Sequence, residues 1–198
     1  MIIIAIAILA FNLYISFMNA RVAGQVWVDA KVFGGWIRAL VWCAATQSAI
    51  GFSSGFLILY GYLAYKIGFL NPDQLHVVFS LWYLIVAIPL IGTGLLITVQ
   101  SWITAWRERS FKNMGVAAYN TFAEVSDLYH AFSDIPKAFK EVMSFTSDWG
   151  DDDDLKSMVF WKVIVPVVVL AIASGCILTY TIIHKYAGTL RAPAISQA

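Results

Sequence analysis

The stretch Val77–Trp106, VVFSLWYLIVAIPLIGTGLLITVQSWITAW, decides the fold of this chain, since it contains no Asp, Glu, Lys or Arg. The hydrocarbon core of a bilayer is about 30 Å thick, and an α-helix needs roughly 17 to 25 apolar residues to cross it. Three further stretches meet this requirement: Ile2–Met18, Ala39–Tyr65 and Val163–Ile183. Their apolar residues are continuous rather than alternating, which excludes β-strands. The sequence therefore predicts an all-α membrane protein with four transmembrane helices.

The composition of the chain also favours a lipid environment. Of its 198 residues, 60% are hydrophobic and 13% are charged, with a mean hydropathy of +0.74. Soluble domains carry about 25% charged residues. A formal net charge of +1 creates no long-range field that would attract nucleic acid. We therefore expect the lipid bilayer as a partner, and no nucleic acid.

The Lys and Arg residues predict the orientation, because short cytoplasmic loops are enriched in them. The loops after the first and third spans carry most of these residues: Arg21, Lys31, Arg38, Arg107, Arg109, Lys112, Lys137, Lys140 and Lys156. The opposite side has only Lys66, Lys185 and Arg191. We therefore predict a multi-pass protein of a cell inner membrane, with both termini outside and with loops 19–38 and 107–157 in the cytoplasm.

This orientation divides the chain into three parts. Residues 1–106 form three transmembrane helices with an interfacial loop, 19–38, whose structure the sequence leaves open. Residues 107–157 form a cytoplasmic, amphipathic helical insertion that ends in an acidic turn, Asp151–Asp154. That turn lacks the alternating acids of a calcium loop, so a solvated turn is favoured over a cation site. Residues 158–198 form the fourth transmembrane helix and a short tail outside.

Two local signals predict helix boundaries. Asn71 can cap a helix, Pro72 fits its first turn and Gln74 can reach back to the cap, so the third helix is expected to begin near Pro72. Pro136 belongs in a first turn rather than inside a helix. The insertion is therefore expected to contain two helices that meet near Ser133.

Within the insertion, apolar residues recur at steps of three and four, which predicts one apolar stripe on an amphipathic helix. The stripe comprises Phe111, Met114, Ala118, Phe122, Val125, Leu128, Phe132, Phe139 and Val142. Soluble surfaces avoid an apolar face of this size. Four alternatives for what covers this apolar face stay open: a hairpin that folds back on itself, the inner leaflet, a second copy of the chain, or a partner helix.

The first two spans carry a set of small and polar residues. Its members are Asn12, Ala44, Gln47, Ser48, Gly51, Ser54 and Gly55, and those of the second span share one helix face. Small residues let helices approach closely, and their polar side chains can donate hydrogen bonds across the contact. This helix-helix seam is the favoured interpretation. The alternative is a polar pore lining made by several copies.

No recognised catalytic, nucleotide-binding or metal-binding motif occurs in the sequence. No predicted span carries an ionised residue at its centre, which disfavours proton pumps, charge-coupled transporters and voltage sensors. Cys43 and Cys176 are predicted to lie at different depths, as buried, unpaired thiols. We therefore expect no enzyme, no cofactor and no metal site.

These observations predict a non-catalytic binding protein of the inner membrane. One role that suits a small protein of this kind is that of an immunity or exclusion protein, which protects a cell from a membrane-acting toxin or from phage entry by helix-helix recognition in the bilayer. Its partner is then another membrane protein or a component of the toxin or phage. The alternative is a small oligomeric channel, or a structural or accessory subunit of a membrane complex.

Overall fold

The computed structural model describes residues 2–33, 35–147 and 154–187, and these ranges contain helices and short turns but no strand. The helices are α1 (Ile2–Phe33), α2 (Gly35–Lys66), α3 (Pro72–Glu108), α4 (Phe111–Ser147), α5 (Asp154–Val159), a π-helical segment (Phe160–Ile164) and α6 (Val165–Tyr186). The predicted all-α fold is confirmed. Most of the predicted acidic turn and residues 188–198 of the predicted tail lie outside the described residues.

Four helical stretches are long and apolar enough to cross a membrane, as predicted. They are Ile4–Val28, Gly35–Lys66, Pro72–Glu108 and Leu155–Tyr186. The last of these combines α5, the π-helical segment and α6 into one rod. Pro166 lies at the start of α6, where its missing N–H accounts for a local change in the hydrogen-bonding pattern. These helices indicate a multi-pass membrane protein.

α3 begins at Pro72, as the sequence predicts. The Asn71 side chain accepts a hydrogen bond from the Gln74 backbone N–H at 2.8 Å, and the Gln74 side chain accepts one from the Asn71 N–H at 2.9 Å. Pro72 occupies the first turn. At the other end, Arg109 adopts a left-handed conformation with φ of 46°. Only Arg109 and Ser110 then separate α3 from α4.

The stretch 19–38 is helical wherever it is described, with residues 19–33 in α1 and 35–38 in α2. Its small residues pack against other helices, since Ala20, Ala23 and Ala30 are buried. At Gly24 an added Cβ would lie 2.6 Å from the Ile183 carbonyl oxygen on α6. Close contact with α6 explains why α1 continues beyond its predicted end.

The long helices alternate in direction, and α2 lies between α1, α3 and α6. Two buried clusters hold them together. One lies near the α2–α3 turn and includes Leu57, Val78, Ile164, Val168 and Ala171. The other lies near the α1–α2 turn and includes Ala20, Val41, Phe52, Ile182 and Ile183. Burial of these apolar side chains favours the bundle through close packing.

The insertion after α3 is a single helix, α4, which runs antiparallel to α3. The Thr98 hydroxyl donates to the Asn120 carbonyl at 3.3 Å, and the Ser80 hydroxyl donates to the Glu141 carboxylate. The predicted break near Ser133 is wrong, because Pro136 lies inside a continuous helix. Pro136 has no N–H to donate within the helix, yet α4 continues past it while packed along α3.

Because α4 passes back along the bundle, α6 ends beside the α1–α2 turn. The rings of Phe17 and Tyr186 are 6.1 Å apart, and the Arg21 guanidinium lies 5.5 Å from the Tyr186 ring centre. The prediction placed the end of the fourth span on the opposite side from loop 19–38. That relative placement is wrong, since an additional antiparallel pass reverses the direction of every later helix.

Candidate functional site

One face of α4 carries a regular row of buried residues, Ala117, Glu124, Ala131 and Ala138. They recur every seven residues, which places them on one side of the helix at every second turn. The three alanines let α4 approach α3 closely, as small residues do in membrane helices. Glu124 is only 5% exposed. A carboxyl group therefore lies in a row that otherwise contains only methyl groups.

The Glu124 carboxyl group occupies the space that a side chain at Gly94 would fill. A Cβ added to Gly94 would collide with Oε2 and lie 2.9 Å from Cδ of Glu124. The Gln47 Nε2 atom lies 3.5 Å from the same position. Among the described residues, Glu124 Oε1 has no hydrogen-bond partner. The carboxyl group is thus enclosed where α2, α3 and α4 meet.

Gln47 and Thr93 form the polar surroundings of this carboxyl group. Gln47 Nε2 donates to the Leu90 carbonyl and to the Thr93 hydroxyl, both at 2.8 Å. Thr93 in turn donates to the Pro89 carbonyl at 2.6 Å. The amide hydrogens of Gln47 are therefore directed to α3. We call Gln47, Thr93, Gly94 and Glu124 the α2–α3–α4 junction.

Further acidic residues lie on one flank of α4. Asp127 and Asp134 are partly buried on this flank. Asp134 pairs with Lys137 at 3.1 Å and lies 3.6 Å from His130. At 100° per residue, these side chains fall on one side of the buried row. We call the set Asp127, His130, Asp134, Lys137 and Glu141 the polar flank.

The predicted apolar stripe lies mainly on the other side of the buried row. Phe111, Met114, Ala118, Phe122, Val125, Phe132 and Phe139 are exposed, whereas Leu128 and Val142 are partly buried. We call the exposed members the apolar flank. The buried row does not stand out in the sequence, because alanines add little to a hydrophobic pattern. Their spacing of seven residues was the available signal.

The predicted helix-helix seam is divided among neighbours within the chain. Asn12 on α1 donates to Ser54 at 3.1 Å, and a Cβ on Gly51 would collide with the Ser16 side chain. A Cβ on Gly55 would lie 3.1 Å from Leu13. These contacts join α2 to α1.

The remaining seam residues contact other helices. The Ser48 and Thr179 hydroxyls, on α2 and α6, are 3.1 Å apart. Gln47 binds α3, as described above, and Ala44 packs against the buried cluster near the α1–α2 turn. All seven predicted residues thus serve contacts between helices of the same chain.

A groove of about 590 Å³ opens between α1, α2 and α6, and its lining includes Trp27, Trp42, Cys176 and His184. Cys176 is exposed and Cys43 is buried, and both are free thiols. The prediction that both are buried is therefore wrong for Cys176. Within the described ranges, no group of His, Cys, Asp and Glu residues is placed to hold a metal ion.

No family model matches this chain, and no curated protein or solved structure shows significant similarity to it.

Proposed function

We propose that several copies of this chain assemble into a small channel, with the polar flank of α4 lining a water-filled lumen. The observation that carries the proposal is the position of α4. This helix has charged residues along its length, yet it lies against α3, which is apolar enough to cross a membrane.

The contacts between α3 and α4 support a position of the polar flank at membrane depth. Asn120 lies beside Thr98, and Glu141 lies beside Ser80. The intervening part of α4 therefore runs beside residues 80–98, which are free of Asp, Glu, Lys and Arg. If α3 crosses the bilayer, residues 120–141 of α4 lie within the hydrocarbon layer or beside it.

Lipid is a poor environment for the exposed charges of this flank. The Lys137 and Asp134 side chains are 72% and 44% exposed, and a charge at the bilayer centre costs about 2.5 to 3.5 kcal/mol or more. Charged residues of membrane proteins therefore face a protein interior or a water-filled cavity. In the described part of the chain, α4 packs only against α3 and the start of the last rod. Further copies of the chain, arranged around a water-filled lumen, would keep these charges away from lipid.

The two flanks of α4 suit this arrangement. Phe122 and Phe132 on the apolar flank are 76% and 82% exposed, and aromatic side chains are well accommodated by lipid or by the apolar side of another copy. With this flank turned away from the lumen, the polar flank turns toward it. Rings of charged side chains are a recurrent lining of ion channels.

For the orientation, we propose that the end containing the α1–α2 and α3–α4 turns faces the cytoplasm of a cell with an inner membrane. Arg38, Arg107, Arg109, Lys112 and Lys185 lie at or near this end, in agreement with the enrichment of basic residues in cytoplasmic loops. The start of α1 then lies outside, whereas α6 ends on the cytoplasmic side. The end of α4 at Ser147 and the start of α5 at Asp154 then lie outside as well.

The immunity or exclusion role and the role of an accessory subunit stay predictions. The first depended on recognition of a partner helix in the bilayer through the seam, and the residues of that seam contact helices of the same chain. The channel, which the sequence offered as the alternative, accounts better for the exposed charges of α4.

Cysteine accessibility in liposomes tests the channel directly. Asp134→Cys and Phe132→Cys place thiols at nearly the same depth on opposite flanks, in a background where Cys43 and Cys176 are replaced by alanine. We expect a membrane-impermeant maleimide to label position 134 rapidly and position 132 slowly. Equal, rapid labelling would mean that α4 lies in water outside the bilayer, and no labelling at either position would exclude the lumen.

Ion flux from the same liposomes provides the functional measurement. The full chain should release potassium, and Lys137→Leu should change the rate or the ion preference by several-fold. Phe132→Leu, on the apolar flank, is the matched control and should leave the flux unchanged. A monomeric protein that gives no flux would overturn the proposal.

A further inference from the structure

Glu124 is the one Asp, Glu, Lys or Arg residue that is buried among the side chains whose exposure the structure describes. Its carboxyl group fills the notch left by Gly94, and its Oε1 atom has no hydrogen-bond partner there. An ionised carboxylate in such surroundings is costly, because burial removes hydration and no described hydrogen bond to Oε1 replaces it. The negative charge of Glu124 must therefore be balanced by a nearby positive charge or removed by protonation of the carboxyl group.

No basic side chain is close enough in sequence to supply the charge. Along α4, the nearest are Lys112 and Lys137, about 18 Å or more away at a rise of about 1.5 Å per residue. Along α2 the basic residue before Gln47 is Arg38, and along α3 the one after Gly94 is Arg107. Each is more than two helical turns from the junction. An ion pair with Glu124 is therefore not available from these helices.

A metal ion fits the junction less well than a proton. Hard cations require several oxygen ligands, but Gln47 turns its Nε2 atom, a donor, toward this region. The Thr93 hydroxyl is engaged by Gln47 and by the Pro89 carbonyl. The oxygens of Glu124 are thus not joined by a set of converging ligands. A proton on the carboxyl group removes the charge without further ligands.

We propose that the α2–α3–α4 junction is a reversible proton-binding site, with Glu124 as the group that carries the proton. When the proton is bound, the neutral carboxyl group fits against Gly94 and α4 packs closely on α3. When the proton leaves to water, the remaining carboxylate has no partner, and the contact between α3 and α4 loosens. This inference does not depend on the channel, since it concerns the interior of one chain.

The titratable neighbours of Glu124 are few. On α4, Asp127 lies one turn away and acts on Glu124 electrostatically. On α2, the titratable residue nearest to Gln47 in sequence is Cys43, and on α3 those nearest to Gly94 are Tyr83 and Arg107. Two adjacent carboxylates do not ionise readily together. Asp127, on the partly exposed polar flank, connects the junction to water.

Infrared spectroscopy of the full chain in lipid nanodiscs tests whether Glu124 carries the proton. The difference spectrum between acidic and alkaline pH should contain the carbonyl stretch of a buried, protonated carboxyl group. That band should be absent in Glu124→Gln and unchanged in Glu108→Gln, a matched control at the exposed end of α3. The same band in Glu124→Gln, or no such band in the native chain, would overturn the proposal.

Amide hydrogen exchange tests the loosening of α4. Around residues 117–131, exchange in the native chain should rise roughly tenfold or more beyond the general effect of pH when Glu124 loses its proton. In Glu124→Gln, which stays neutral, this additional rise should disappear. If Glu124→Gln does not fold, Gly94→Ala gives the second test, because it displaces the carboxyl group and should shift the pH of the infrared change. A pH dependence that is the same in the native chain and in the folded variant would contradict the proposal.

Discussion

Helices α2 and α4 both carry small and polar residues on faces that pack against other helices, but they differ in how many neighbours they have. α2 lies between α1, α3 and α6, and its polar side chains bind all three. α4 is packed along α3 and leaves its two flanks exposed. Polar residues in α2 therefore join neighbouring helices, whereas many of those of α4 stay exposed. Similar residue types thus differ in their contacts according to the number of helices around them.

The largest effect is expected where α2 and α6 are in backbone contact. A Cβ on Gly175 would lie 2.5 Å from the Ala49 carbonyl oxygen and 2.7 Å from the Ser53 nitrogen. Gly175→Leu should therefore destabilise the bundle by about 3 kcal/mol or more, because backbone atoms cannot yield as a flexible side chain can. Unfolding in mixed micelles, followed by circular dichroism, measures this loss.

Gly92→Leu is the control for the change at Gly175, since a Cβ there would have no atom within 4 Å. It should alter the free energy of unfolding only slightly. Similar losses for the two variants would show that the close contact of α2 with α6 is unimportant for stability.

A smaller effect is expected at the contact between α3 and α4. Gly94→Ala forces the Glu124 carboxyl group out of its notch and should destabilise the chain by about 1 to 3 kcal/mol, the range for overpacking. Gly92→Ala lies half a turn away in open space and should stabilise α3 by up to about 1 kcal/mol, the difference in helix propensity. The measurement is the difference in unfolding free energy between the two variants, and equal values would contradict the described position of Glu124.

The hydrogen bond between Ser48 and Thr179 should contribute less. A double-mutant cycle with Ser48→Ala and Thr179→Val is expected to give a coupling energy of about 0.6 kcal/mol, the average for hydrogen bonds between membrane helices. The two single variants and the double variant are compared by their unfolding free energies. A coupling indistinguishable from zero would mean that this part of α2 is held by packing alone.

The smallest change in stability is expected on the flanks of α4. Lys137→Leu and Phe132→Leu alter exposed side chains and should each change the unfolding free energy by less than about 0.5 kcal/mol. Their effects on ion flux should nevertheless differ, as proposed above. A large loss of stability for Lys137→Leu would mean that the polar flank stabilises the fold. The polar residues of α4 would then not differ from those of α2 in this respect.

The sequence predicted the start of α3 and the amphipathic character of α4, but it did not predict which face of α4 packs. The large apolar residues, such as Phe122 and Phe132, dominate a hydrophobic pattern, yet alanines form the contact with α3. Helices in a membrane pack by shape, since lipid already solvates large apolar side chains. The candidate site could not be predicted for the same reason. In the sequence, Glu124 looks like any polar residue of an amphipathic helix, and only the structure shows that it packs against Gly94.

The sequence alone determined that the chain is helical and that four of its segments suit a bilayer, because hydrophobicity and length are local properties of each segment. It also placed the cap of α3, which depends on the adjacent residues Asn71, Pro72 and Gln74. Only the tertiary structure decided that Pro136 lies within a continuous helix, that α6 ends beside the α1–α2 turn, and that Glu124 meets Gly94 and Gln47. These features depend on contacts between residues far apart in the chain, and such contacts are fixed by the shapes of whole helices.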